Sequence, residues 1–156
     1  MDAAKTLTRQ PAISIMKIFK RDPAYYEGVA RINIYLLRLL FALTFVFVGM
    51  SSWAAIAFFE GTWEPVRAVA FCAWAAYGTI CFLGLIKPLK LLPIVLFQIF
   101  YKVLWLAIVA YPLWINDKLA GSTAEEMAYA FLWVPLAIVA MPWRYFFRQF
   151  ISKNDK

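Results

Sequence analysis

Four long apolar segments dominate this chain of 156 residues. They cover about residues 34–59, 66–86, 91–115 and 124–142, and each has about the 20 residues that an α-helix needs to cross the hydrocarbon core of a bilayer. Hydrophobic residues make up 64% of the chain, which is more than a soluble domain of this length can bury. The sequence therefore predicts an all-α fold, a polytopic integral membrane four-helix bundle over residues 34–142.

Two more polar segments flank the predicted bundle. Residues 1–33 contain lysines and arginines beside apolar residues at helical spacing, namely Ile13, Met16 and Phe19. This pattern predicts a short amphipathic helix on the membrane surface. Residues 143–156 contain two arginines and two lysines, which indicates a basic tail.

The charges also predict an orientation. Lysines and arginines are concentrated in the first segment, in the turn at residues 87–90 and in the tail, whereas the other two loops are acidic. By the positive-inside rule, both termini are expected in the cytoplasm of a bacterium, with the bundle in its cytoplasmic (inner) membrane. The acidic residues would form an outer rim, either as ordinary solvated loop residues or as an entrance for a cation or substrate: Glu60, Glu64, Glu125 and Glu126.

Several classes of site are excluded by composition. The formal net charge is +7, but the basic residues flank apolar segments, so we expect the lipid bilayer rather than nucleic acid as their partner. The chain has no histidine and two cysteines, Cys72 and Cys81. Nine positions place these cysteines on opposite faces of a helix, too far apart for a disulfide. No metal site, cofactor ligand or catalytic motif is recognisable, which favours a non-catalytic protein.

Lys102 is the residue most suggestive of a function. It lies about 16 Å into the third predicted span at 1.5 Å per residue, near the middle of the membrane. A charged lysine at that depth costs at least about 2.5–3.5 kcal/mol, so it should face the bundle interior and be paired. Gln98 and Trp105 lie within one turn of it on the same face.

The predicted partners of Lys102 leave two interpretations open. Tyr77, Thr44 or the carbonyl of Phe131 could contact it, since Pro135 has no N–H to occupy that carbonyl. In one interpretation Lys102 contacts an anionic or carbonyl-bearing ligand, or takes part in a proton-linked step. In the other it is a polar clamp that holds helices together.

Two stretches resemble the DoxX-like membrane proteins. In the first span, Arg38 opens an apolar run that ends at Gly49; at the second junction, Leu83-Gly84-Leu85-Ile86-Lys87 leads into a basic turn and an apolar span. The resemblance covers the first three spans. It implies a four-helix bundle and, as in some members, a small subunit of quinone-linked oxidoreduction. It assigns no role to Lys102.

Three functions are therefore consistent with the sequence. The first is a non-catalytic bundle that binds a lipid-phase ligand, such as a quinone or lipid, or serves as an accessory subunit of a larger membrane complex. The second is a transporter or channel component for a small solute or protons that uses Lys102, acting as a homo-oligomer. The third is a DoxX-type subunit of a quinone-linked oxidoreductase.

Overall fold

The structure is a computed structural model that describes residues 27–152. The predicted amphipathic helix, with Ile13, Met16 and Phe19, lies outside the described residues. Within them the chain is helical, and four helices are long and apolar enough to cross a membrane: α1 (Arg31–Ala57), α2 (Pro65–Ile86), α3 (Pro88–Ile115) and α4 (Thr123–Ala140). The predicted all-helical class and the four apolar spans are confirmed, and they indicate an integral membrane protein.

Helix α1 begins three residues before the predicted start at residue 34 because its polar first turn has partners. The Asn33 side-chain amide donates to the carbonyl oxygens of Val139 (3.3 Å) and Ala140 (3.1 Å) at the end of α4. The helix is α-helical over Arg31–Thr44, widens to a π-helix over Phe45–Met50 and ends as an α-helix at Ala57.

Helix α2 begins with an acidic cap. The Glu64 carboxylate accepts hydrogen bonds from the backbone N–H groups of Val66 (2.9 Å) and Arg67 (2.6 Å), and Pro65 occupies the first turn. These two bonds favour the ionised form and lower the pKa of Glu64.

A short turn at Lys87 leads into α3. This helix opens with a 3₁₀ turn (Pro88–Leu91), continues as an α-helix (Leu92–Trp105), widens to a π-helix (Leu106–Ala110) and closes as an α-helix (Tyr111–Ile115).

Helix α4 is interrupted in the middle. It is capped by Ser122, whose hydroxyl accepts from the Ala124 N–H, and it consists of Thr123–Phe131 and Val134–Ala140. Pro135 lies just after the break, where its ring and missing N–H prevent a regular helix. Pro135 therefore accounts for the interruption of α4 between Phe131 and Val134.

The residues predicted as a basic tail form a further helix, α5 (Trp143–Phe146), continued by a π-helical turn (Phe147–Ile151). Tyr145 is buried, and its hydroxyl donates to the Glu27 carboxylate over 2.5 Å. Burial and this carboxylate raise the pKa of Tyr145 to about 12. The basic residues of this segment indicate an exposed tail. The packing of its aromatic residues on the bundle is therefore not predicted by the sequence.

The bundle is held together by antiparallel neighbours. Helix α1 packs against α2 and α4, and α3 packs against α4. Helices α1 and α2 are in backbone contact where Gly49 meets Gly78: a Cβ atom on Gly49 would lie 3.2 Å from the Cα of Gly78, and a Cβ on Gly78 would collide with Gly49. Glycine at both positions is what allows this approach.

The outward faces of the helices are strongly apolar. Phe100 (68% exposed), Val69 (69%) and Val139 (66%) are examples from α3, α2 and α4. Of the two cysteines, Cys72 is exposed and Cys81 buried, which confirms that they lie on opposite faces of α2.

Replacing Gly78 by alanine should lower the free energy of unfolding by about 1–3 kcal/mol, because the added methyl group overpacks the contact with Gly49. Thermal unfolding in detergent micelles measures the effect. Ala76→Val is the matched control, since it enlarges an exposed position of the same helix. Equal melting temperatures for the two variants would contradict the close crossing.

Candidate functional site

A buried hydrogen bond between side chains joins α1 to α3. The Gln98 amide donates to the Thr44 hydroxyl over 2.9 Å, and the two residues are only 2% and 4% exposed. The sequence predicts Gln98 on the same face of the third span as Lys102, and Thr44 as one candidate partner of Lys102. Because no water is present in an apolar interior to replace this bond, it fixes how α1 and α3 are aligned.

Lys102 lies one turn after Gln98 and is partly buried. Its ammonium nitrogen is 5.6 Å from the centre of the Phe131 ring, which belongs to α4. A cation over an aromatic face is attracted by the ring quadrupole. The structure thus pairs Lys102 with the ring of Phe131 rather than with its carbonyl, and Thr44 is engaged by Gln98 instead.

Two aromatic side chains of α3 pack against the Phe131 ring that Lys102 faces. Trp105 packs edge-on against Phe131 at 5.0 Å between ring centres, and Tyr101 packs against the same ring at 5.5 Å. Tyr101 also meets Tyr77 of α2, at 6.3 Å. Phe131 is therefore shared by Lys102 and two aromatic residues of α3.

Tyr77 of α2 is buried against Tyr101 of α3. The residue is 6% exposed, and its hydroxyl interacts with the hydroxyl of Tyr101. Tyr77 therefore links α2 to α3.

A cavity of about 220 Å³ adjoins this group of residues. All four spans line it, mostly with aromatic and aliphatic side chains together with two serines: Phe47, Val48, Ser51, Ser52, Phe71, Trp74, Tyr101, Met127, Ala130 and Phe131. Tyr101 and Phe131 belong both to the cavity wall and to the surroundings of Lys102. Phe47, Ser51 and Ala130 are exposed, so the cavity opens on the surface of the bundle.

The five candidate residues of the predicted polar path take part in three different contacts. Gln98 bonds to Thr44, Lys102 and Trp105 lie against the Phe131 ring, and Tyr77 packs against Tyr101. Sequence reasoning missed the cavity and its serines. The sequence does contain a sign of these serines, because Ser51 and Ser52 are polar residues about two helical turns after Thr44 in an otherwise apolar span.

The predicted acidic rim lies at one end of the bundle, and two of its members have structural roles there. Glu64 caps α2. Glu125 accepts from the Gly121 N–H over 2.7 Å and so closes the loop before α4. Glu60 and Glu126 are exposed. Within the described part of the chain, no three His, Cys, Asp or Glu side chains are grouped as a metal site requires.

Comparison of the chain with protein-family models, with curated proteins and with solved structures gives no match.

The hydrogen bond between Thr44 and Gln98 can be tested with a double-mutant cycle of Thr44→Val and Gln98→Leu. We expect a coupling free energy of about 0.6–2 kcal/mol, because each single variant strands the other buried polar group. Unfolding in detergent micelles gives the four free energies.

Thr79→Val combined with Gln98→Leu is the control cycle. Thr79 is a threonine of α2 whose hydroxyl bonds to Trp53 and to the Ala75 carbonyl, so the two effects should add. A coupling free energy that is equal in both cycles would refute a specific bond between Thr44 and Gln98.

Proposed function

We propose that this protein is a non-catalytic integral membrane protein that binds a lipid-phase ligand in the cavity between its four spans. The observation that carries the proposal is the position of that cavity. It opens on the apolar surface of the bundle, and its inner wall, Tyr101 and Phe131, separates it from Lys102 by a single layer of side chains.

The lining defines the chemical class of the ligand. The walls are aromatic, with Phe71 and Trp74 packed edge-on at 5.5 Å, and such walls favour a flat apolar group. The lining also contains the hydroxyl groups of Ser51, Ser52 and Tyr101, which can donate hydrogen bonds to a carbonyl oxygen. A quinone ring or the ester region of a lipid has both features.

The size of the cavity limits what enters it. Pockets for drug-sized ligands measure about 300–1,000 Å³, and this cavity measures about 220 Å³. We therefore assign it to the head of an amphiphile whose tail remains among the surrounding lipids. The lining residues that are exposed on the surface of the bundle mark the opening through which the tail would leave the cavity.

The wider setting of the protein belongs to the same proposal. We place it in the inner membrane of a bacterium with both termini in the cytoplasm, because the turn at residues 87–90 and both flanking segments are basic. Membership of the DoxX-like proteins, and a role as accessory subunit of a quinone-linked complex or as a homo-oligomer, are supported by the resemblance at Arg38–Gly49 and by a cavity suited to a quinone ring.

Filling the cavity should remove the ligand. Ala130→Phe places a ring in the opening, whereas Ala73→Phe places the same ring at an exposed position of α2 outside the cavity. Each protein is incubated with a short-chain ubiquinone analogue and separately with phosphatidylethanolamine. The amount retained after size-exclusion chromatography is then measured by mass spectrometry.

We expect Ala130→Phe to retain at least about tenfold less of one probe, equivalent to about 1.4 kcal/mol, and Ala73→Phe to behave like the wild type. Lys102→Met should weaken retention without abolishing it. Equal retention by all proteins would overturn the proposal. Uptake of protons or solutes into liposomes that Lys102→Met abolishes would instead favour the transporter.

A further inference from the structure

A second cavity lies at the end of the bundle where α1 begins and α4 ends. It is a groove of about 760 Å³, within the range of ligand pockets in proteins. One wall is formed by the chain that leads into α1, from Glu27 to Asn33, and the other by Pro142 and the first turns of α5. None of its lining residues belongs to the cavity between the spans, so it is a separate site.

Two arginines give this groove its charge. Arg144 and Arg148 are both exposed and line it, against one carboxylate, that of Glu27. The carboxylate accepts from the Tyr145 hydroxyl. Arg148 is held in place by stacking over the Tyr145 ring at 5.9 Å and by donating to the Glu27 backbone carbonyl over 3.4 Å. One such bond leaves most of the five donors of a guanidinium available to an anion.

The groove also lies at the level where a membrane meets water. Apart from Asn33, in the first turn of α1, its lining residues either follow the last residue of α4, Ala140, or precede the first residue of α1, Arg31. Trp143, whose indole N–H donates to the Ile138 carbonyl over 2.9 Å, lines it. Tryptophan and tyrosine are the residues found at the headgroup level of membranes.

We infer that this groove binds the phosphate headgroup of an anionic phospholipid, with Arg144 and Arg148 as the phosphate-binding residues and Trp143 against the glycerol region. Arginine is suited to phosphate because its planar fork donates two parallel hydrogen bonds. An anionic lipid is selected over a zwitterionic one because, within residues 27–152, Glu27 is the one carboxylate that lines the groove, and it already accepts from the Tyr145 hydroxyl.

The first 26 residues of the chain are an unsuitable alternative occupant by charge. They contain Lys5, Arg9, Lys17, Lys20 and Arg21 against Asp2 and Asp22. A basic segment is repelled by two arginines, and it would itself be attracted to the same anionic lipids.

The test measures binding of phosphatidylglycerol to the delipidated full-length protein in detergent micelles by native mass spectrometry. Phosphatidylcholine and inorganic phosphate are the two comparison probes. Arg144→Gln/Arg148→Gln removes the two phosphate-binding groups. Lys87→Gln/Lys90→Gln removes two exposed charges at the same end of the bundle but outside the groove, and is the matched control.

We expect the arginine double variant to bind phosphatidylglycerol at least about tenfold more weakly, because it loses the paired, charge-assisted hydrogen bonds that the two guanidinium groups donate to the phosphate. The lysine variant should bind like the wild type. Replacing Arg148 also removes its packing contact with the Tyr145 ring. The single variant Arg144→Gln keeps that contact and should weaken phosphatidylglycerol binding about fivefold.

Equal binding by the arginine and lysine variants would overturn the inference, and this is the result expected if residues 1–26 fill the groove. Inorganic phosphate that competes with phosphatidylglycerol at equal concentration would show a site for the free ion rather than for a lipid. Equal binding of phosphatidylcholine would show a nonspecific lipid surface.

Discussion

The solvent around the four spans is the constraint on which the rest of the structure depends. In hydrocarbon, no water replaces a missing hydrogen bond, so the backbone has to satisfy its own donors and acceptors, as helices do. Apolar side chains then gain little from being buried, because lipid tails are as apolar as they are. This accounts for the small buried fraction of the helices: only 22–28% of an 18-residue apolar stretch in each span is buried. Large side chains such as Phe100 point outward.

The same constraint makes close packing and polar contacts responsible for joining the helices. Gly49 and Gly78 let two backbones touch, and the Thr44–Gln98 bond links α1 to α3. Lys102 is accommodated over the Phe131 ring. These polar residues therefore hold the helices together, and they also lie close to the cavity. The structural role does not exclude a role in binding.

Residue patterns predicted the parts of this structure that depend on one helix at a time. Long apolar runs locate the spans, and an isolated lysine in an apolar run indicates an inward face. The sequence pattern does not show which helices pack against each other. Two helices form the Gly49–Gly78 crossing, and four helices form the cavity. The sequence contains each glycine and serine, but it does not show which residue of another helix lies against it. Helix α5 was missed for another reason: its basic residues indicated a tail, although Tyr145 and Phe146 form an apolar face.

Site-directed spin labelling in liposomes tests most directly whether lipid surrounds these helices. Labels would be placed singly at Phe100, Val69 and Leu132, which is 60% exposed in the middle of α4, with Cys72 and Cys81 replaced by alanine. Collision rates with apolar oxygen and with a water-soluble nickel complex report the surroundings of each label. Membrane-spanning helices predict high accessibility to oxygen and low accessibility to nickel at all three positions. Higher accessibility to nickel than to oxygen at these positions would show that the apolar faces meet water, and would contradict the account.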